Sequence, residues 1–404
     1  MASLTAAIIA MLIQQSLMTM STSAIPNLWK YIGPDFSLTD DINGVMIRVY
    51  SLMVYGVGFF SSSAAGGAVI QYGPLRASQI CLIGGAWGAL AFSFGLIWML
   101  VPAALLLGIG MGPSTPASSG ILARFSTPRR APLVFSIKQT GVPIGGVLAG
   151  HILVLIAEHV SWQVALLLCG VLCWATAIWM QRFRGRFDDQ REYYRRVSII
   201  DISTSFKAAT DTTALRKLAF AGMAYSGLQV AFMYYFITYS ATDLEMSTIE
   251  AGRIYGNAMG LAIVGRIFWG WLASGIFSSR ALLIFLSFAM FASIAAVGLA
   301  ESGWGFWGLS AAAFAFGLTG VSWNGVYLAE VACHALAGQV AVFMGGVISC
   351  CFVGLFILPA LLGFVFVALD LYGVGFIVIG LPSLLCGFLF VLPERTQSKG
   401  RPGP

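Results

Sequence analysis

Two basic side chains lie where basic side chains are rare. Lys138 sits within APLVFSIKQTGVPIGGVLAG, residues 131–150, and Arg266 within GRIFWG, residues 265–270, both inside long apolar stretches. A charge in hydrocarbon costs on the order of several kcal/mol, so such a group faces protein or a water-filled path. The 16 acidic residues all fall in loops or at the ends of apolar stretches. Neither cation therefore has a carboxylate partner at its own depth. An unpaired buried charge needs a counterion, and the expected one is a molecule passing through. The expected molecule is a small organic anion, which Arg266 can bind bidentately and Lys138 as a point charge. Two plainer arrangements compete: Lys138 snorkels to the nearer interface, or Arg266 donates to backbone carbonyls where helices meet.

The neighbours of this pair supply softer chemistry. Gln139 follows Lys138, Gln14 and Gln15 sit in the first apolar stretch, and Asn324 and Tyr327 put an amide and a phenol on one helical face. Adjacent residues do not share a helix face, so Gln139 or Thr140 is expected to pack away from Lys138. Substrate contacts are thus expected from Lys138, Arg266, Gln139, Asn324, Tyr327 and Gln14. His151, further along the same helix as Lys138, is the expected proton relay. Pro143 removes one helical hydrogen bond and invites a bend. Gly141 with Gly145, and Gly146 with Gly150, form two small-xxx-small pairs for close approach of another helix. Tyr234 and Tyr235 suit either a gate or an interfacial belt. No residue set suits a cofactor, a metal or an enzyme's nucleophile. The seven cysteines lie in or beside apolar stretches and imply no disulfide framework.

These residues require a membrane-spanning scaffold. Of 404 residues, 58% are apolar and 9% charged, whereas soluble proteins carry roughly 25% charged residues. Stretches long enough to cross a bilayer read 4–24, 43–66, 75–94, 96–122, 131–157, 162–181, 217–240, 249–274, 280–299, 303–330, 337–366 and 369–392. The expected fold is all-α, with twelve transmembrane helices in two six-helix bundles. The bundles occupy 1–181 and 217–392, joined by a linker at 182–216 and followed by a tail at 393–404. Of the 22 Lys and Arg residues, only Lys30, Arg48 and Arg253 fall on one side, while all others except Lys138 and Arg266 fall on the opposite side. The positive-inside rule puts that basic side, with both termini, in the cytoplasm. The net charge of +6 is thus an orientation signal, and nucleic acid is not an expected partner. The linker, with RFRGRFDDQREYYRR, is expected to lie on the membrane surface with a short amphipathic helix near Tyr193 and Tyr194. A weak repeat supports two halves: GGAVIQYGPLRAS from Gly66 is echoed by GWLASGIFSSRAL from Gly270, each a glycine-led helix exit leading to an arginine, Arg76 and Arg280.

These segments resemble the major facilitator superfamily of secondary transporters, and the resemblance covers essentially the whole chain. Residues 66–76 look like the family's loop motif, with Gly73 and Arg76 in place but Ile70 where the usual acid stands and Gln71 where the next arginine stands. Gly141, Pro143, Gly145 and Gly146 resemble its proline-glycine motif in the fifth helix. The strings SIKQTGVPIGG and SWNGVYLAE look like a bacterial branch of the family. Gly265 to Gly270 is similar to the eighth helix of oxalate/formate and monocarboxylate carriers, where an arginine binds a carboxylate. Their first-helix lysine has no counterpart here; Gln14 and Gln15 occupy that place. The resemblance implies a monomeric carrier of the bacterial inner membrane working by alternating access. It also implies gating and helix-packing roles for Gly141, Pro143, Gly145, Gly146 and Arg76. Proton symport or anion exchange of a carboxylate is the leading expectation. An exporter of neutral or cationic amphiphiles is the alternative, although it would favour an acid within the membrane.

Overall fold

In hydrocarbon every backbone polar group must be bonded within its own segment, so long apolar stretches become helices. The computed structural model describes residues 2–37, 40–192, 194, 197–336, 338–369 and 372–393. The first four spans are α1 (Ala2–Asp35), α2 (Asp40–Tyr72), α3 (Pro74–Ser93) and α4 (Leu100–Phe125). The fifth is broken into α5 (Ala131–Gln139), α6 (Gly141–Val147) and α7 (Val154–His159), with a π-helical turn at Leu148–Leu153. After α8 (Trp162–Met180), the linker carries α9 (Arg184–Phe187) and α10 (Ile199–Thr210). Then follow α11 (Thr213–Thr242), α12 (Thr248–Gly275), α13 (Ser279–Gly298), a tenth span broken into α14 (Gly305–Gly320) and α15 (Asn324–His334), α16 (Val340–Leu369) and α17 (Tyr372–Val391). All twelve expected spans are helical. Most of the tail lies outside the described residues.

Among the described residues eleven spans are long and apolar enough to cross a membrane on composition alone. The exception is α11, whose polarity is satisfied internally: Tyr225 lies against Ser287, Ser226 donates to Cys351 O at 2.9 Å, and Tyr239 donates to Val297 O at 3.0 Å. Helices before the linker pack on one another, as do those after it, giving two bundles. Ser161, Thr212, Ser247 and Ser278 each cap the first amides of the helix that follows.

The bundles meet along two seams on the half of the molecule nearest the linker. At one, α5 packs against α12 and α15. At the other, α2 packs against α16: Ser63 and Ser349 hydroxyls are 2.7 Å apart, and Ser62 Oγ donates to Gly345 O at 3.2 Å. The repeat-related glycines occupy equivalent places at the two seams. A Cβ on Gly66 would meet Val342 Cγ2 at 2.7 Å, and one on Gly270 would run into Ser136. On the far side, Tyr55 and Tyr234 hydroxyls, 3.4 Å apart, make the outermost hydrogen bond between the bundles among the described residues. Tyr234 thus bridges the bundles, whereas Tyr235 turns to Pro359 O at 3.2 Å.

The linker departs from expectation. Tyr193 lies outside the described residues and Tyr194 is an exposed turn residue. The helix forms at 199–210 instead, because Ser198 and Asp201 make a reciprocal capping box there. It wedges into the crevice between α2 and α16, with Phe206 5.3 Å from Phe59 between ring centroids and Ala209 fully buried.

Candidate functional site

The geometry around Arg266 begins with a missing proton. A helical N–H bonds the carbonyl four residues back, and Pro143 has none, so the carbonyl of Gln139 is left without its helical donor. The tenth span supplies a second such group, since its helix stops at Gly320 and restarts at Asn324, leaving Val321 in the break. Arg266, on α12 and 1% exposed, lies between the two breaks. Its Nε and Nη2 donate to Val321 O at 3.2 and 3.0 Å, and its Nη1 donates to Gln139 O. The cation also faces the C-terminal end of α14, where the helix dipole favours positive charge. A guanidinium has five N–H groups, so these three bonds leave two for another acceptor.

Lys138 is fully buried and differently placed. Its ammonium donates to Gln15 Oε1 at 2.6 Å, Gln139 Oε1 at 3.0 Å and Thr115 Oγ1 at 3.4 Å. Three acceptors match its three protons. All are neutral. Among the described residues, no acid pairs with either cation. Neither side chain snorkels. Gln139 departs from the face argument, because its amide curls back onto its neighbour Lys138 while its carbonyl serves Arg266. One residue thus touches both cations.

Gln15, missed as a contact beyond its position, holds Lys138, while Gln14 donates to Ser114 Oγ at 2.7 Å and keeps a buried, unpartnered Oε1. The first glycine pair brings α1 close: a Cβ on Gly141 would meet Leu12 O at 2.9 Å, and one on Gly145 would meet Met20 N at 2.9 Å. The second pair does not pack in this way. Gly146 has nothing within 4 Å and Gly150 only Asn27 Oδ1 at 3.9 Å, since a one-residue offset turns about 100° off the contact face.

None of the remaining expected residues bonds either cation among the described residues. Tyr327 is fully buried with its hydroxyl donating to Leu218 O at 2.8 Å. Asn324 is half-buried with Oδ1 unpartnered. His151 is exposed within the π-helical turn. Arg76 is at the linker side, where Nη1 donates to Gln79 Oε1 at 3.2 Å.

The linker supplies acids that the loop motif lacks. Asp188 accepts the first amides of α3, from Leu75 at 2.7 Å and Arg76 at 3.1 Å, below Gly73 at φ 91°. Asp189 takes a bidentate pair from Arg124. Arg124 holds the Asp189 carboxyl below the usual carboxylate range. Burial pushes the Asp188 carboxyl up, against the pull of the two amides and of Arg184. Between the linker and the seams lies a cavity of about 950 Å³, lined by Gly120, Phe135, Ala329, Cys333 and Gln190 among others.

Two broken helices and two buried cations at the junction of two six-helix bundles belong to a multi-pass membrane protein of carrier architecture. The chain is a member of the Major Facilitator Superfamily, whose family model matches residues 11–350. It is 24% identical over 272 residues to a hexuronate transporter of Bacillus subtilis (strain 168), covering 64% of this chain. The match spans 62% of that relative's length. Among solved structures, the human organic anion transporter MFSD10 (TETRAN) superposes with a TM-score of 0.77 at 14% identity, over 95% of this chain and 98% of that one. FucP in the outward conformation superposes with 0.73 at 16% identity, over 95% and 97%. Membership of this superfamily points to a transporter rather than an enzyme.

Proposed function

We propose that this transporter moves a small organic anion, a carboxylate, by alternating access, with proton symport or anion exchange. The observation that carries the reading is the pair Lys138 and Arg266, both buried with only neutral acceptors around them, Arg266 bonding across the two bundles. The two spare guanidinium protons are suited to a bidentate carboxylate. Lys138, already saturated, lends positive potential. The hexuronates named for that relative fit this chemistry, because a sugar acid combines one carboxylate with hydroxyls that Gln14 and Asn324 can meet. His151 is retained as a candidate relay toward the far side. In this reading the basic linker side is cytoplasmic, the membrane is the bacterial inner membrane, the carrier is monomeric, and the seams hold it closed to the cytoplasm.

Uptake of labelled D-galacturonate into proteoliposomes tests the proposal. Uptake in the wild type and in the exposed-site control Lys207→Ala, with loss in Arg266→Gln, supports it. Saturable export of amphiphilic cations without galacturonate uptake would overturn it.

A further inference from the structure

Arg266 does more than wait for a ligand, because the carbonyls it holds belong to both broken helices. We propose that it is a clasp on the linker-side seam, released when a carboxylate takes its guanidinium. The releasing ligand rests on the transport reading above; the clasp itself does not.

The clasp is written into spacing. Pro143 frees the carbonyl of Gln139, the break after Gly320 frees that of Val321, and one side chain from α12 ties the two together. About one helical turn toward the linker from each partner lies the tightest junction of the seam. There Ser136, Gly270 and Gly325 meet so closely that a Cβ on either glycine would strike Ser136. Beyond that junction is the linker-side cavity, which Phe135 lines. Tying or untying Gln139 and Val321 therefore acts directly on the contact that separates the cation pair from the cavity.

Substrate competes for the same donor. A carboxylate is a stronger acceptor for a guanidinium than a peptide carbonyl is. As a carboxylate engages the two free N–H groups, the planar fork turns toward it and away from Val321 O and Gln139 O. Gln139 reports the same event to Lys138 through its side chain. Binding energy is thereby converted into separation of α5 from α15, and the empty carrier stays closed on the linker side.

Hydrogen–deuterium exchange of the full chain in nanodiscs tests this, read on the peptide covering 324–334 of α15. In Pro143→Ala the restored N–H competes with Arg266 for the Gln139 carbonyl without touching α15, so a change in α15 reports the clasp. Exchange there is expected to rise roughly tenfold without ligand in Pro143→Ala and in Arg266→Gln, through more frequent local opening. In the wild type it is expected to rise only on adding D-galacturonate. Unchanged α15 exchange in both variants, of which Pro143→Ala adds a helical bond and so keeps the fold, would overturn the clasp. A rise in both variants with no response of the wild type to D-galacturonate would uphold the clasp and overturn its release by that carboxylate. A separate failure of uptake would then locate the fault in the transport reading.

Discussion

The two seams that join the bundles are built from different materials. The α5 seam with α12 and α15 holds two cations, two helix breaks and a glutamine that serves both cations, through its side chain and its backbone carbonyl. The α2 seam with α16 holds serine hydroxyls and glycines, backed by the wedge of α10. The repeat put a glycine at the same place in both, Gly66 and Gly270, so the close approach is shared and the charge is not. The comparison teaches that close approach is reached without charge at one seam and is tied to a charged group at the other. Small residues suffice to let helices meet at the α2 seam, while among the described residues the charged contacts lie at the α5 seam.

The largest contrast is expected from deleting the chemistry of each seam in turn. Arg266→Gln removes a charge-assisted bidentate contact worth about 3 kcal/mol, so galacturonate affinity by titration calorimetry should fall roughly 100-fold. Ser63→Ala, at the other seam, loses one neutral hydrogen bond of about 1 kcal/mol and should leave affinity within roughly fivefold. Equal effects would erase the distinction between the seams. Next come the glycines that seat α5 and α6 on α1. Gly145→Leu overpacks against Ser16, Thr19 and Met20 and should destabilise by about 1–3 kcal/mol. Gly146→Leu, with open space around it, should stay within about 0.5 kcal/mol in thermal melts.

The linker-side brace gives smaller effects. Asp188→Ala uncaps α3 and should cost about 0.5–2 kcal/mol of thermal stability. Asp189→Asn should cost at most about 1 kcal/mol, because its pair with Arg124 is partly exposed. Arg124 lowers the Asp189 carboxyl in the folded chain, so the contribution is present above the ordinary aspartate range and fades as pH falls through the lowered value. Melting temperatures of wild type and Asp189→Asn should therefore converge below about pH 4.

Much of this architecture was legible in the sequence. Twelve apolar stretches, a basic linker and two isolated cations pointed to the bundles and to the site, because a hydrocarbon setting leaves few alternatives. Helix ends were less legible: α1 runs on to Asp35 and α2 to Tyr72, past the apolar stretches, since helices continue through interfacial residues. The acceptors for Arg266 were half visible. Pro143 announces an orphan carbonyl at Gln139 by counting back four, but nothing in SWNG marks the break at Val321. Carbonyl partners for Arg266 were anticipated as the plainer arrangement, and they coexist with two spare protons. The role of Asp188 as a cap on α3 depends on how the linker folds back across the loop after α2, a long-range fact that local spacing does not carry.

The central claim is that a carboxylate completes the cation pair. Titration of the purified carrier with D-galacturonate and with D-galactose, which keeps the ring and replaces the carboxylate by a hydroxymethyl group, tests it most directly. The account predicts at least roughly 100-fold tighter binding of the acid, a preference that disappears in Arg266→Gln. Equal affinity for the two sugars, or a preference that survives in Arg266→Gln, would contradict it.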